Sequence, residues 1–163
     1  MIASVRGEVI VRRPDHVVVE CAGVGYRLAV SAQTLRHVPA VGDEAQLHTH
    51  LVMRDDGMHL YGFATEEERA LFLMLIGVQS VGPKVALAVL SGGPPRELIR
   101  AIGAGDSARF QAVPGIGKRT AERIIVELRE KVDAGGEGVP AAAAAAAGDT
   151  PEDLIAEALR AAR

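Results

Sequence analysis

The stretch VGPKVA at residues 81–86 decides the fold, because it returns in altered form as IGKRTA at residues 116–121, 35 positions later. Each copy has an apolar residue, a glycine, a basic residue within two positions, and then an alanine that opens an apolar helical run. Each copy also follows a separate apolar segment, at residues 71–76 and 110–113. The pattern predicts helix, tight turn, helix, twice, with a glycine that allows positive φ or the close approach of another backbone.

A repeated turn of this kind predicts a binding site for phosphate. The second helix of each pair begins with unpaired backbone N–H groups and a partial positive charge, next to Lys84 in one copy and to Lys118 and Arg119 in the other. One such turn is equally well explained as an ordinary helix–helix connection, but a scaffold has no need to repeat the cation. Two such sites at a fixed spacing favour a protein that holds a nucleic-acid backbone regardless of base sequence.

The composition indicates an ordinary soluble protein with one or two small domains. The chain has 163 residues, of which 48% are hydrophobic, and a net charge of −3. No apolar run approaches the roughly 20 residues of a membrane span, and no secretory signal is evident. The single Cys21 cannot form an intramolecular disulfide. We therefore expect a cytoplasmic protein that does not contact membranes.

The charge is unevenly distributed along the chain. Basic and acidic residues number 6 and 7 in residues 1–63, 10 and 8 in residues 64–132, and 2 and 6 in residues 133–163. The small basic excess therefore coincides with the repeated turns. A chain this weakly basic is expected to bind DNA poorly alone, so oligomerisation that joins several basic faces would help.

The predicted order of segments is mainly β, then mainly α. Residues 1–63 contain five short runs of strand-forming residues with one helical turn, capped by Ser31, and predict a closed barrel of the OB type. Residues 64–132 predict four or five helices, the first opened by a capping box of Thr65 and Glu68. Residues 133–149, rich in glycine and alanine, predict a flexible linker, and residues 150–163 predict one amphipathic helix.

Asp55 and Asp56 lie at the tip of a predicted hairpin and have three possible explanations. An Asp-Gly pair is favoured in tight turns. A metal-dependent nuclease would also use paired carboxylates, although no third carboxylate or histidine lies nearby in sequence. Finally, two carboxylates on a projecting hairpin would repel phosphates and steer the strands that approach them. The residues alone favour the first explanation, a tight turn.

Motifs for catalysis are weak. GIGKRT at residues 115–120 resembles a nucleotide-binding loop, but Ala112 replaces its first glycine and Arg119 replaces its Ser/Thr. His48 and His50 share a strand face without an identifiable third metal ligand, and we expect them to be surface histidines. Aromatic residues make up only 3% of the chain, so we expect the barrel to serve assembly and strand steering instead of single-strand stacking. We predict no catalysis, no cofactor and no metal.

The order of these motifs resembles the RuvA family, the Holliday-junction-binding subunit of the bacterial branch-migration complex. The resemblance covers about residues 1–132 and rests on the start MI, on RDD at 54–56, LYGF at 60–63, VGPK at 81–84 and PGIGK at 114–118. It implies a non-catalytic subunit of a helicase complex that acts in DNA recombination, DNA repair and the SOS response. A homotetramer, or an octamer on DNA, would hold a four-way junction open, with the RuvB ATPase as motor and the RuvC resolvase as a further partner.

The resemblance also implies roles for individual residues. Asp55 and Asp56 would form an acidic pin at the crossover, where they keep strands apart. The two turns, as helix-hairpin-helix motifs, would hold the phosphates of each duplex arm. The residues that we predict to bind DNA are Val81, Gly82, Lys84, Gly115, Ile116, Gly117, Lys118, Arg119 and Arg123.

Two features depart from the family's pattern. Ser80 stands where the first turn usually has a glycine, as Gly115 does in the second, and a positive φ there would cost about 1 kcal/mol or more. The family also ends in a three-helix domain that engages RuvB, of which residues 150–163 resemble a remnant. This leaves RuvB engagement open while junction binding should survive. The alternative function is a general duplex or damaged-DNA binder, accessory to a nuclease, that uses the same turns.

Overall fold

The structure is a computed structural model that describes residues 1–55 and 57–133. Its first part is a closed barrel in the strand order β1-β2-β3-β5-β4, with β4 paired back to β1. Only β3 and β5 pair in parallel; the other neighbours are antiparallel. The elements are β1 Ser4–Arg12, β2 His16–Cys21, β3 Val24–Val30, α1 Ala32–His37, β4 Glu44–Arg54 and β5 Gly57–Phe63. This confirms the predicted OB-type barrel.

The barrel core follows from the alternation of side chains along each strand. Val5 and Val9 of β1 point inward with Val17 and Val19 of β2, and none of the four is more than 4% exposed. Ser31 caps α1 as predicted, because its hydroxyl oxygen accepts the N–H of Thr34.

The remaining described residues form five helices around one apolar core. Phe72, Leu75, Leu98, Phe110 and Ile124 are fully buried or nearly so and hold these helices together. The helices are α2 Glu66–Ile76, α3 Pro83–Leu90, α4 Pro95–Ala104, α5 Ser107–Gln111 and α6 Lys118–Asp133. We call residues 77–82, between α2 and α3, the first turn, and residues 112–117, between α5 and α6, the second turn. The predicted tandem of helical hairpins is confirmed.

The barrel and the helices meet through aromatic side chains. The rings of Tyr61 and Phe63, at the end of β5, lie with centroids 5.2 and 4.9 Å from that of Phe72 on α2. Both residues belong to the same core cluster as the helices. The end of β5 therefore packs into the helical core, while the barrel interior around Val9 and Val19 is a separate apolar cluster.

The start of α2 departs in part from the predicted capping box. The hydroxyl of Thr65 accepts the N–H of Glu68 at 3.1 Å, as predicted. The carboxylate of Glu68 does not complete the box at Thr65: it accepts the N–H of Ala64, one residue earlier, at 3.3 Å, and hydrogen bonds from Ser31 and Thr34 of the barrel. The reciprocal half of the prediction was wrong because buried hydroxyl donors from another element lie within reach of this carboxylate.

The predicted linker and terminal helix, residues 133–149 and 150–163, lie outside the described residues except for Asp133, which ends α6. Within residues 1–55 and 57–133, no helix has the length and apolar character that crossing a membrane requires.

Candidate nucleic-acid interface

The first and second turns close with the same hydrogen bond. The N–H of Val81 donates to the carbonyl of Val78 at 3.1 Å, and the N–H of Ile116 donates to the carbonyl of Val113 at 3.1 Å. The two pairs are offset by the same 35 positions as the sequence repeat. The repeat in sequence is therefore also a repeat of local structure.

The helices after the turns also begin alike. The carbonyl of Gly82 accepts the N–H of Ala86 at 2.9 Å, and the carbonyl of Gly117 accepts the N–H of Ala121 at 3.0 Å. Both glycines are exposed, and a Cβ built on either would meet nothing within 4 Å. Gly82 has φ −90°, so positive φ is not why glycine stands there. What glycine provides at this place is an open backbone that a phosphate can approach.

Left-handed backbone occurs two positions before each of these glycines. Ser80 has φ 71° and Gly115 has φ 89°, so this position takes a positive φ in both turns and the condition for a cost at Ser80 is met. Apart from Ala22, Ser80 is the only non-glycine residue with positive φ among the residues that the structure describes. A side chain in this conformation costs about 1–2 kcal/mol. The first turn is therefore strained where the second is relaxed.

Three exposed cations stand at the helix starts. Lys84 and Arg119 are the second residues of α3 and α6, and Lys118 is the first residue of α6. The N–H groups of a first helical turn have no acceptor within the helix, and the helix dipole adds a partial positive charge. Because α3 begins with Pro83, which has neither N–H nor charge, the second turn offers one more donor and one more cation than the first.

Val81 and Ile116 differ from the other predicted DNA-binding residues. Their side chains are each only 5% exposed and lie in the helical core. Their N–H groups are used in closing the turns. These two residues therefore stabilise the turns, and only their exposed neighbours are accessible to a phosphate.

Arg123 connects α6 to the first turn. It lies on α6, and its Nη1 is 3.4 Å from the carbonyl oxygen of Gln79 and 3.4 Å from the hydroxyl oxygen of Ser80 in the first turn. Its Nε is 4.0 Å from a carboxylate oxygen of Glu127. An open cleft of about 280 Å³ lies here, lined by Gln79, Ser80, Arg119, Thr120 and Arg123. Its hydroxyl, amide and guanidinium groups suit an anion.

The β4–β5 hairpin, which we call the acidic hairpin, carries Asp55 at its turn. Met53 pairs with Met58 and Arg54 pairs with Gly57, so Asp55 follows the last paired residue of β4. Asp55 is exposed, whereas Asp56 lies outside the described residues. The expected position at a hairpin tip is confirmed for Asp55, and the role of a pin stays a prediction.

Comparison with known proteins agrees with this geometry. A family profile described as the RuvA N terminal domain matches residues 1–62, and one described as a SAM-like helix-hairpin-helix tandem matches residues 72–130. A curated relative from Rubrobacter xylanophilus, named Holliday junction branch migration complex subunit RuvA, is 50% identical over 159 residues, which cover 98% of this chain and 81% of that protein. The chain belongs to the RuvA family.

Further RuvA proteins support the same assignment. The one from Halorhodospira halophila is 48% identical over 162 residues, 98% of this chain and 79% of the relative. The one from Acidobacterium capsulatum is 44% identical over 155 residues, 95% of this chain and 78% of the relative. The family that the motif order had indicated is therefore confirmed.

Gln79 and Thr120 line the cleft of this RuvA family member and were not predicted as site residues. Thr120 directly follows two cations at a helix start, so its position in the sequence was a usable signal. Gln79 had no such signal, because its counterpart in the second turn is Pro114, which has no polar side chain.

The two histidines of β4 were expected at the surface, and both are part-exposed, with the His48 side chain 38% exposed, but both also contact α2. The Nδ1 of His48 lies 3.2 Å from a carboxylate oxygen of Glu66 on α2. The ring of His50 meets that of Phe72 edge-on at 6.0 Å. Burial, and then the charge of Arg69, lower the pKa of His50. Both histidines thus belong to the contact between barrel and helices, and the described residues hold no group of three or more metal-ligating side chains.

Proposed function

We propose that this chain binds four-way (Holliday) DNA junctions through their phosphates, as the RuvA subunit of a branch migration complex in recombination and repair. The observation that carries the proposal is the pair of equivalent turns, each with an exposed glycine, an open helix start and a cation. Its relatives are named as subunits of a Holliday junction branch migration complex, which supports the same substrate.

The two turns would hold a duplex arm by its backbone. Gly82 and Lys84 would bind one phosphate, and a second would meet the start of α6, at Gly115, Gly117, Lys118 and Arg119. Arg123, between the turns, would face the backbone that joins these phosphates. Such contacts position DNA without reading its bases, so selectivity for a junction has to come from shape.

The acidic hairpin would supply that selection by shape. Like charges repel, and the effect is strongest where water is excluded. A continuous duplex would bring phosphates against Asp55 and Asp56, whereas the centre of an open four-way junction leaves room between diverging strands. We therefore propose that both carboxylates act as a pin at the crossover, with the favourable turn chemistry of Asp-Gly retained.

Assembly would multiply these contacts. One chain has a pair of turns suited to one arm, and a junction has four arms, so we infer a homotetramer, with an octamer on DNA as the alternative. Residues 1–63 would serve assembly and strand separation, and residues 64–132 would bind DNA. The chain would act on DNA in the bacterial cytoplasm.

We infer that this subunit is not itself an enzyme and that its partner RuvB supplies ATP hydrolysis. The GIGKRT segment joins α5 to α6, whereas a nucleotide-binding loop of the P-loop type follows a strand. Contact with RuvB through residues 150–163, and with the RuvC resolvase, is proposed from family resemblance alone.

A competition experiment tests the proposed function. A labelled four-way junction bound to the full chain is challenged with unlabelled junction or with linear duplex of the same sequence, and a junction of unrelated sequence serves as control. We expect both junctions to compete equally and the duplex to compete worse by orders of magnitude. Parity between junction and duplex would contradict the proposal and favour a general duplex or damaged-DNA binder.

A further inference from the structure

Glu68 is a buried carboxylate that the proposed DNA interface does not use. It lies on α2 and is 2% exposed. Its Oε1 accepts a hydrogen bond from the hydroxyl of Ser31 at 2.5 Å, and its Oε2 accepts one from the hydroxyl of Thr34 at 2.6 Å. Both partners are buried residues of the barrel, at the start of α1. A buried carboxylate is costly unless hydrogen bonds satisfy it, so this contact depends strictly on its partners.

The surrounding bonds fix the direction of both hydroxyl protons. The oxygen of Ser31 already accepts the N–H of Thr34 at 2.9 Å, and the oxygen of Thr34 accepts the N–H of Ala64 at 3.2 Å. Each hydroxyl has a single proton, and both protons are given to Glu68. A glutamine in its place would present an NH₂ group to one hydroxyl, whose proton would then lose its acceptor.

Ser91 makes a second contact with the same short helix. It directly follows α3, and its hydroxyl accepts the N–H of Ala32 at 2.9 Å while donating to the carbonyl of Leu87 at 2.8 Å. The barrel element α1 is thus bonded to α2 through Glu68 and to α3 through Ser91. We call this set of five residues the α1 joint: Ser31, Ala32, Thr34, Glu68 and Ser91.

The α1 joint lies between the two parts of the proposed DNA interface. The barrel carries the acidic hairpin, and α2 and α3 enclose the first turn. Apolar contacts around Phe72 also join barrel and helices, as does a hydrogen bond from Nε of Arg69 on α2 to the carbonyl oxygen of Thr49 on β4 at 2.9 Å. The hydrophobic effect is non-directional. Hydrogen bonds depend steeply on distance and angle, so they select one orientation among those that apolar packing allows.

We infer that Glu68 and Ser91 are positioning residues that set the orientation of the two turns relative to the acidic hairpin, and thereby the preference for junctions. The inference rests on the proposed function. A loosened joint leaves each turn able to bind a duplex arm, because the turns and their cations are unchanged. It weakens only the binding of DNA that must contact the two turns and the acidic hairpin at the same time, as a junction does.

The test compares Glu68→Gln and Ser91→Ala with the wild-type chain. Each is titrated with a four-way junction and with a linear duplex of one arm, and the angle between arms is followed by energy transfer between labelled arm ends. Ser91 is exposed, so its variant is expected to fold even if Glu68→Gln does not. Ile102→Val, in the buried core of α4, is the control for a small loss of stability away from the joint.

We expect junction affinity to fall about fivefold in Ser91→Ala and about tenfold in Glu68→Gln, with duplex affinity within about twofold of wild type. The distribution of energy-transfer efficiencies between labelled arm ends should broaden or shift in both variants and remain unchanged in Ile102→Val. A junction-to-duplex ratio equal to that of wild type in the folded variants would overturn the inference. A wild-type chain without junction preference would instead sink the proposed function, so the two failures are distinguishable.

Discussion

Replacing the equivalent cations of the two turns, Lys84→Ala and Arg119→Ala, should weaken junction binding and make it less sensitive to salt. Both side chains are exposed at the second position of their helices, so their removal takes away charge without opening the core. Each phosphate neutralised on B-DNA contributes about 0.9 to the slope of log affinity against log salt. Each substitution should therefore reduce that slope by about one per bound subunit, and the double variant by about two.

The two substitutions should lower junction affinity by different amounts. After Arg119→Ala the second turn keeps Lys118 and one more free N–H. After Lys84→Ala the start of α3 keeps backbone N–H groups but has no cation, because Pro83 is uncharged. We therefore expect Lys84→Ala to lower junction affinity more than Arg119→Ala does at the same salt concentration.

The measurement is a series of anisotropy titrations with a labelled four-way junction between about 50 and 200 mM salt. Arg96→Ala is the matched control, because Arg96 lies in the same helical part, is 81% exposed and pairs with Glu67. It changes the net charge by the same amount, and its salt slope should match that of wild type. If the double variant keeps the wild-type slope, or if Arg96→Ala lowers it equally, Lys84 and Arg119 do not contact phosphates.

Three further predictions concern the turns, the hairpin and pH. Gly115 has φ 89° and open space around it, so Gly115→Ser should lower the free energy of unfolding in urea by about 1 kcal/mol. Ser80→Gly should leave that free energy unchanged or raise it by up to about 1 kcal/mol. A Ser80→Gly variant that is less stable than wild type would show that the serine is not strained. Asp55→Asn combined with Asp56→Asn should leave junction binding intact or tighter and reduce discrimination against plain duplex in the competition assay, and loss of all binding would refute a pin. The pKa of His50 is lowered in the folded chain, so the unfolded chain binds a proton on this side chain more readily than the folded chain does. The stability that His50 contributes is therefore present above about pH 6.5 and is lost as pH falls through its folded pKa. Unfolding midpoints at about pH 7.5 and about pH 5.5 should therefore differ more in wild type than in His50→Gln, and equal differences would exclude His50 as the cause.

Much of the fold was predictable because its signals are local. Alternating apolar residues marked the strands, and a glycine with a cation beside it marked the starts of α3 and α6, so the barrel and both turns were expected before the structure. Even the strain at Ser80 followed from comparing two copies of one turn, since Gly115 showed what that position needs. Because the turn occurs twice in the chain, each copy could be compared with the other.

The parts that failed depend on contacts between distant residues. Thr65 and Glu68 have the spacing of a capping box, but the carboxylate binds Ser31 and Thr34, which are 37 and 34 positions away. Arg123 likewise reaches Gln79, 44 positions earlier. The spacing of residues within one helix carries no information about such partners, because only the packing of barrel against helices brings them within hydrogen-bond distance.

Hydrogen–deuterium exchange measures whether the free N–H groups at the starts of α3 and α6 bind DNA phosphates, as proposed. Amides of a first helical turn lack acceptors within the helix, so those in residues 82–85 and 117–120 should exchange quickly in the free chain. Addition of a saturating four-way junction is predicted to slow exchange in both segments. Fast exchange in both segments of the saturated complex would show that these amides do not bind phosphates.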